Sequence, residues 1–158
     1  MYRLIYVILL IGLFSCEKER QTRNPNLGEV HFTYTINLSL PLYNSLKTPM
    51  NTVFVPYGGI KGFFVTCYSD GGYRAWEAAC PNHNLQECHN RLFGIRAVED
   101  DNSYEETGHS YTFAKCSCGK TVYNLISGAP IAIGQIAKPY PLLNYNVSVA
   151  GNILTISN

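Results

Sequence analysis

Between Val30 and the final residue Asn158, apolar side chains recur at a spacing of two, and no stretch holds a helical period of useful length. Val30–Leu40 (VHFTYTINLSL) alternates apolar and polar residues, as a half-buried strand does, and Pro41 ends it. Thr52–Pro56 reads as a short second strand, followed by a turn at Tyr57-Gly58-Gly59. Gly62–Ser69 (GFFVTCYS) is apolar on both faces and belongs deep in a sheet. Asp70-Gly71-Gly72 is a hairpin signal, and Tyr73–Ala79 runs back as the partner strand. Leu92–Val98 and Ser110–Lys115 read as two more strands around an acidic loop, Glu99–Gly108. Leu143, Tyr145, Val147 and Val149 alternate with polar neighbours, and Gly151-Asn152 turns the chain into Leu154 and Ile156 as a closing hairpin. Twelve tyrosines against two methionines suit pleated sheets. The pattern predicts an all-β domain, either a sandwich or a small barrel, with no internal repeat.

The N-terminus follows other rules. Arg3 precedes an unbroken apolar run from Leu4 to Phe14, then Ser15-Cys16. The run is shorter than the ~20 residues a spanning helix needs, and its layout is that of a targeting segment. It resembles a bacterial lipoprotein signal peptide. That resemblance implies that Cys16 is lipidated, becomes the mature N-terminus and holds the protein to a membrane, on the periplasmic side or at the cell surface. A plain secretory signal cut elsewhere would lead to the same oxidising compartment. Glu17–Asn26 is polar, charged and closed by a proline, the composition of a flexible tether. The expected division is a signal at 1–16, a tether at 17–28 and one domain at 29–158. Twelve Lys and Arg stand against eleven Asp and Glu, with no basic cluster among aromatics, which argues against a nucleic-acid partner.

Cysteine carries the chemistry. Of the six cysteines, Cys16 belongs to the signal, and Cys67 sits inside the most apolar strand as a small buried hydrophobe. The other four fall in two turn-rich groups, Cys80-Pro81-Asn82-His83 with Cys88-His89, and Cys116-Ser117-Cys118-Gly119. Two such loops facing each other can hold a metal or form disulfides, and spacing alone does not fix the pairing. The chain has neither Gly-x-Ser-x-Gly nor HExxH, and His83 near Cys80 is a weak basis for a thiol–imidazole nucleophile. Gly58-Gly59 and Gly71-Gly72 are followed by no helix and read as hairpin glycines, not phosphate cradles.

Ala79-Cys80-Pro81-Asn82-His83, then Lys115-Cys116-Ser117-Cys118-Gly119-Lys120-Thr121-Val122-Tyr123-Asn124, then Gly128-Ala129-Pro130 and Pro141–Val147 resemble a Rieske iron–sulfur domain. The likeness is to the degenerate Rieske-like lipoproteins of Bacteroidetes and covers Val30 to the C-terminus. It implies an antiparallel sandwich or small barrel with two cysteine loops at one tip. It also implies a 2Fe-2S cluster with two cysteines on one iron and two histidines on the other, serving electron transfer to a redox or binding partner that the sequence does not name. Cys80 and Cys116 take the thiolate positions. His83 comes one residue later than the family's C-x-H, and Gly119 stands where the second histidine belongs. His89 or His109 would substitute only through an unusual loop path. The resemblance further implies a Cys88–Cys118 disulfide, which would contribute ~2–4 kcal/mol, and puts Thr121 and Tyr123 at the hydroxyl positions around the cluster. Met1-Tyr2-Arg3 has no twin arginine, and a preassembled cluster does not survive passage as an unfolded chain. Three arrangements follow. One is a 2Fe-2S centre with Cys80, His83 and Cys116 as ligands. The second is a zinc site of Cys80, Cys88, Cys116 and Cys118. The third is a cluster-free binding or structural module held by Cys88–Cys118 and a second bridge, Cys80–Cys116.

Overall fold

The computed structural model describes residues 24–69, 71–99 and 111–158. The signal at 1–16 with Cys16, the tether up to residue 23, His109 and the acidic loop beyond Glu99 lie outside the described residues. The described residues form ten strands: β1 (Thr33–Asn37), β2 (Asn51–Val55), β3 (Phe63–Ser69), β4 (Gly72–Glu77), β5 (Phe93–Ile95), β6 (Phe113–Lys115), β7 (Val122–Asn124), β8 (Pro130–Ala132), β9 (Asn144–Ala150) and β10 (Ile153–Ser157). A 3₁₀ helix, Pro41–Lys47, joins β1 to β2. All pairings are antiparallel. The strands make a six-stranded sheet in the order β1-β10-β9-β4-β3-β2 and a four-stranded sheet in the order β5-β6-β7-β8.

The alternation in the sequence becomes two cores. On one face of the large sheet, Ile36, Val53, Val55, Phe63, Val65, Ala75, Leu154 and Ile156 pack with Tyr43 and Leu46 of the 3₁₀ helix. On the other face, Phe54, Phe64 and Trp76 meet Ala114, Cys116, Tyr123 and Leu125 of the small sheet and its loops. β3 is buried on both faces because it lies between β2 and β4 and separates these cores. Trp76 ties the sheets together. Its Nε1 donates to the Leu125 carbonyl at 2.6 Å. Gly128, at φ +74°, lies so close that an added Cβ would meet the indole at 2.5 Å.

The differences from the sequence reading have local causes. β1 occupies only the middle of Val30–Leu40, because its partner β10 supplies Ile153 to Ser157 and no more. Of the expected Asp70-Gly71-Gly72 turn, Asp70 lies outside the described residues; Ser69 stands opposite Gly72, and Gly71 has φ +79°. β7, β8 and the 3₁₀ helix were not legible in the pattern. The two strands have three residues each, too few to display a period.

One charged residue organises the approach to the first cysteine loop. Glu77, the last residue of β4, is fully buried. Its carboxylate accepts the backbone N–H groups of Ile60 at 2.6 Å, Lys61 at 2.9 Å and Ala79 at 2.7 Å, and the Tyr145 hydroxyl. A buried carboxylate is tolerated when its lone pairs are filled in this way. Gly59, at φ +66°, belongs to the same arrangement: a Cβ there would meet Glu77 Oε2 at 2.6 Å. Glu77 thus fixes the Gly58–Gly62 turn against the residue that precedes Cys80. Glu77→Ala strips these buried donors of their acceptor, and we expect a loss of about 3 kcal/mol or more, measured by denaturant unfolding against the parent chain. A loss within 0.5 kcal/mol would contradict this role.

Candidate functional site

The first loop leaves β4 at Ala78 and runs to β5. It is anchored from three sides. Lys61 Nζ donates to the Cys88 carbonyl at 2.7 Å, and burial holds the Lys61 pKa below its ordinary value. Asn24 and Asn26 both donate to the Pro81 carbonyl at 2.9 Å, so the last residues of the expected tether lie against this loop. Asn82 accepts the Tyr140 N–H at 2.6 Å and donates to the Tyr123 hydroxyl. The second loop is the tight turn between β6 and β7. Lys120 N–H donates to the Cys116 carbonyl at 3.0 Å, and Cys116 N–H to the Thr121 carbonyl at 2.9 Å. Lys120 takes φ +61°, the left-handed conformation that usually selects glycine. The segment after β8 backs this turn. Gln135 N–H donates to the Gly119 carbonyl at 3.0 Å, and a Cβ on Gly134 would collide with that same carbonyl.

A disulfide joins the loops, Cys88 to Cys118, with Cα atoms 6.0 Å apart. Beside it Cys80, His83 and Cys116 converge, their ligand atoms all within 4.8 Å of one another. His83 Nδ1 lies 3.1 Å from Cys80 Sγ and 3.6 Å from Cys116 Sγ. Both cysteines are buried and His83 is half-buried. The imidazole lies over Gly119, where an added Cβ would meet its Cε1 at 2.5 Å and its Nε2 at 2.9 Å. The missing side chain at Gly119 is therefore what lets His83 reach both sulfurs.

The pairing Cys88–Cys118 is the one the resemblance implies. It corrects two other readings. With their sulfurs bonded to each other neither Cys88 nor Cys118 is a thiolate, so the structure does not present the four-cysteine zinc set, although both sulfurs form a second cluster with Cys116, within 4.8 Å of its Sγ. Cys80 and Cys116 stay as thiols, without the second bridge. His89 is exposed and belongs to neither cluster of metal-ligating groups among the described residues. Cys67 is buried in β3, with its thiol against the Ser69 carbonyl at 3.5 Å. Tyr123 is fully buried and its hydroxyl bonds Cys80. Thr121 is also fully buried, and its hydroxyl has no partner among the described residues. Glu77, Lys61 and Asn82 were missed as positioning residues. A carboxylate in an otherwise apolar strand end was the signal available for Glu77.

The two thiols are not equivalent. Cys80 donates to Cys116, which pulls the Cys116 pKa down from 9.0 to about 6 against the opposing effect of burial. The N–H groups of Gly119 and Cys118 and the nearby His83 act in the same direction. The shared bond and burial push the Cys80 thiol far up. Burial and the neighbouring Cys80 push the Tyr123 phenol up as well.

No family profile matches the sequence, and no curated protein matches it. Among solved structures, the chain is similar to the quaternary ammonium Rieske monooxygenase CntA bound to an inhibitor, with a TM-score of 0.50 and 12% identity over 81% of this chain and 31% of that one. The apo form of that enzyme gives a TM-score of 0.50 and 12% identity over 84% and 34%. The fold is Rieske-like. The chain spans about a third of those enzymes' length, so the likeness concerns one domain's architecture.

Part of the donor set suits a two-iron, two-sulfide cluster and part does not. The orphaned Thr121 hydroxyl and the Tyr123–Cys80 bond suit an electron-rich group beside Cys116 and Cys80. The nitrogen side does not fit. A Rieske centre needs two imidazoles on the iron remote from the thiolates, whereas this site has one, packed against both sulfurs and filling the space over Gly119. The residues present do not make a Cys₂His₂ two-iron site.

The thiol pair sets a pH dependence in the metal-free protein. Below about pH 6 both thiols are protonated in both states. Between about 6 and 9.0 the unfolded chain binds the extra proton, so stability rises with pH. Above 9.0 the unfolded chain has lost both protons while folded Cys80 keeps its own, so stability falls. The thiolate absorbance should show a first midpoint near 6, moved upward in Cys80→Ala. Two thiols that titrate together near 9.0 would contradict the asymmetry.

Proposed function

We propose that this chain is an exported, membrane-tethered Rieske-like domain that binds a transition metal between its two cysteine loops. The observation that carries the reading is the convergence of Cys80, His83 and Cys116 beside the disulfide that joins those loops. Two thiols and an imidazole are soft-to-borderline donors of the kind that hold zinc and iron. Lipidation at Cys16 supplies the membrane attachment, and an oxidising compartment suits Cys88–Cys118. Asn24 and Asn26 carry the mature N-terminal segment onto the first cysteine loop, so the anchor enters the domain next to the site. Electron transfer to a redox partner on the same membrane face is the role of the Rieske-like fold when a redox-active metal is bound. The rim a partner would meet includes Ile133 and Tyr140, both exposed in the segment that backs the loops.

A second reading has its own support. The disulfide already fixes the loops, and the Cys80–Cys116 hydrogen bond gives the thiols a partner without any metal. The domain then serves as a cluster-free binding or structural module. Metal analysis of protein exported by its own signal separates the two, with Cys80→Ser as the control. Metal in the parent and at least a tenfold loss in the variant supports the metal-binding domain. Metal-free parent and variant with equal stability would overturn it in favour of the cluster-free module.

A further inference from the structure

Resting on that metal-binding reading, we propose that Cys80, His83 and Cys116 hold one divalent ion of the zinc class, in a three-ligand site with one open position. The argument is geometric. Tetrahedral zinc with bonds of about 2.3 Å to sulfur and about 2.0–2.1 Å to nitrogen sets sulfur and nitrogen about 3.6 Å apart. His83 Nδ1 stands 3.6 Å from Cys116 Sγ and 3.1 Å from Cys80 Sγ. A single ion therefore fits after Cys80 and His83 separate by about half an ångström. A two-iron core would have to lie between the imidazole and the sulfurs, and at these distances there is no room for it.

The neighbouring residues fix the ligand count at three. Cys118 is consumed in the disulfide. Asn82, where the family pattern C-x-H has its histidine, is committed to Tyr123 and Tyr140. Gly119, at the other histidine position, contributes only space, and His83 fills it. The shift from C-x-H to C-x-x-H and the loss of the histidine at Gly119 are thus one change: the imidazole moves from the far side of a cluster to the thiolate side. The fourth position goes to water or a small ligand, reached from the half-buried side of His83.

The test uses the full chain exported by its own signal, its metal and acid-labile sulfide content, and then Co²⁺ in place of the native ion as an optical probe. The expected result is one ion per chain, no labile sulfide, and Co²⁺ bands of a tetrahedral site with two thiolates. Gly119→Ala places a methyl group on the imidazole. The backbone there is not left-handed, so the chain still folds with its disulfide intact, and Co²⁺ affinity falls at least tenfold. His83→Ala changes the Co²⁺ bands while thiolate charge transfer persists. Two irons with two sulfides per chain would overturn the single-ion site yet leave the metal-binding reading standing. Co²⁺ bands unchanged in both His83→Ala and Gly119→Ala would also overturn it. A chain that takes up no metal would overturn both.

Discussion

The disulfide between Cys88 and Cys118 is the constraint on which the site depends. Its partners are 30 residues apart in sequence, and one lies in each cysteine loop. In the chain-entropy view, closing a loop of that length removes freedom from the unfolded chain worth about 3.6 kcal/mol. Its local consequence matters more. Two loops that leave different sheets are brought to one tip, and the remaining thiols, Cys80 and Cys116, meet next to the bond. Without it, the convergence of Cys80, His83 and Cys116 would rest on hydrogen bonds at the edges of two turns.

The sheets provide rigid mounts on both sides. Glu77 gathers the Gly58–Gly62 turn, Ala79 and Tyr145 around one buried carboxylate just before Cys80. On the other side, the Lys120 turn and the segment at Gly134–Gln135 press on Gly119. Trp76 and Gly128 lock the large sheet to the small one. Packing and hydrogen bonds of this kind fix side-chain rotamers, which favours a preorganised site.

Much of this was legible in the chain. The strand pattern located eight of the ten strands among the described residues, because segments such as Phe63–Ser69, apolar on both faces, and Asn144–Ala150, which alternates, are long enough to read. The grouping of Cys80, Cys88, Cys116 and Cys118 announced a two-loop tip, and the resemblance implied the Cys88–Cys118 bond. The rest depended on three-dimensional placement. Strands of three residues carry no period. A four-thiolate zinc site and a second bridge, Cys80–Cys116, were as consistent with spacing as what the fold holds. His83 looked like a cluster ligand displaced by one residue. Only the structure shows that its ring lies over Gly119.

The centre proposed for this Rieske-like fold differs from a two-iron cluster. In that proposal Cys80 and Cys116 would be joined by one imidazole, His83, which lies against both sulfurs. The most direct measurement of that claim is X-ray absorption at the metal edge of the loaded, exported chain. The account predicts a first shell of two sulfurs and one imidazole nitrogen with a light fourth atom and no metal–metal scattering. A short iron–iron vector with bridging sulfides would contradict it.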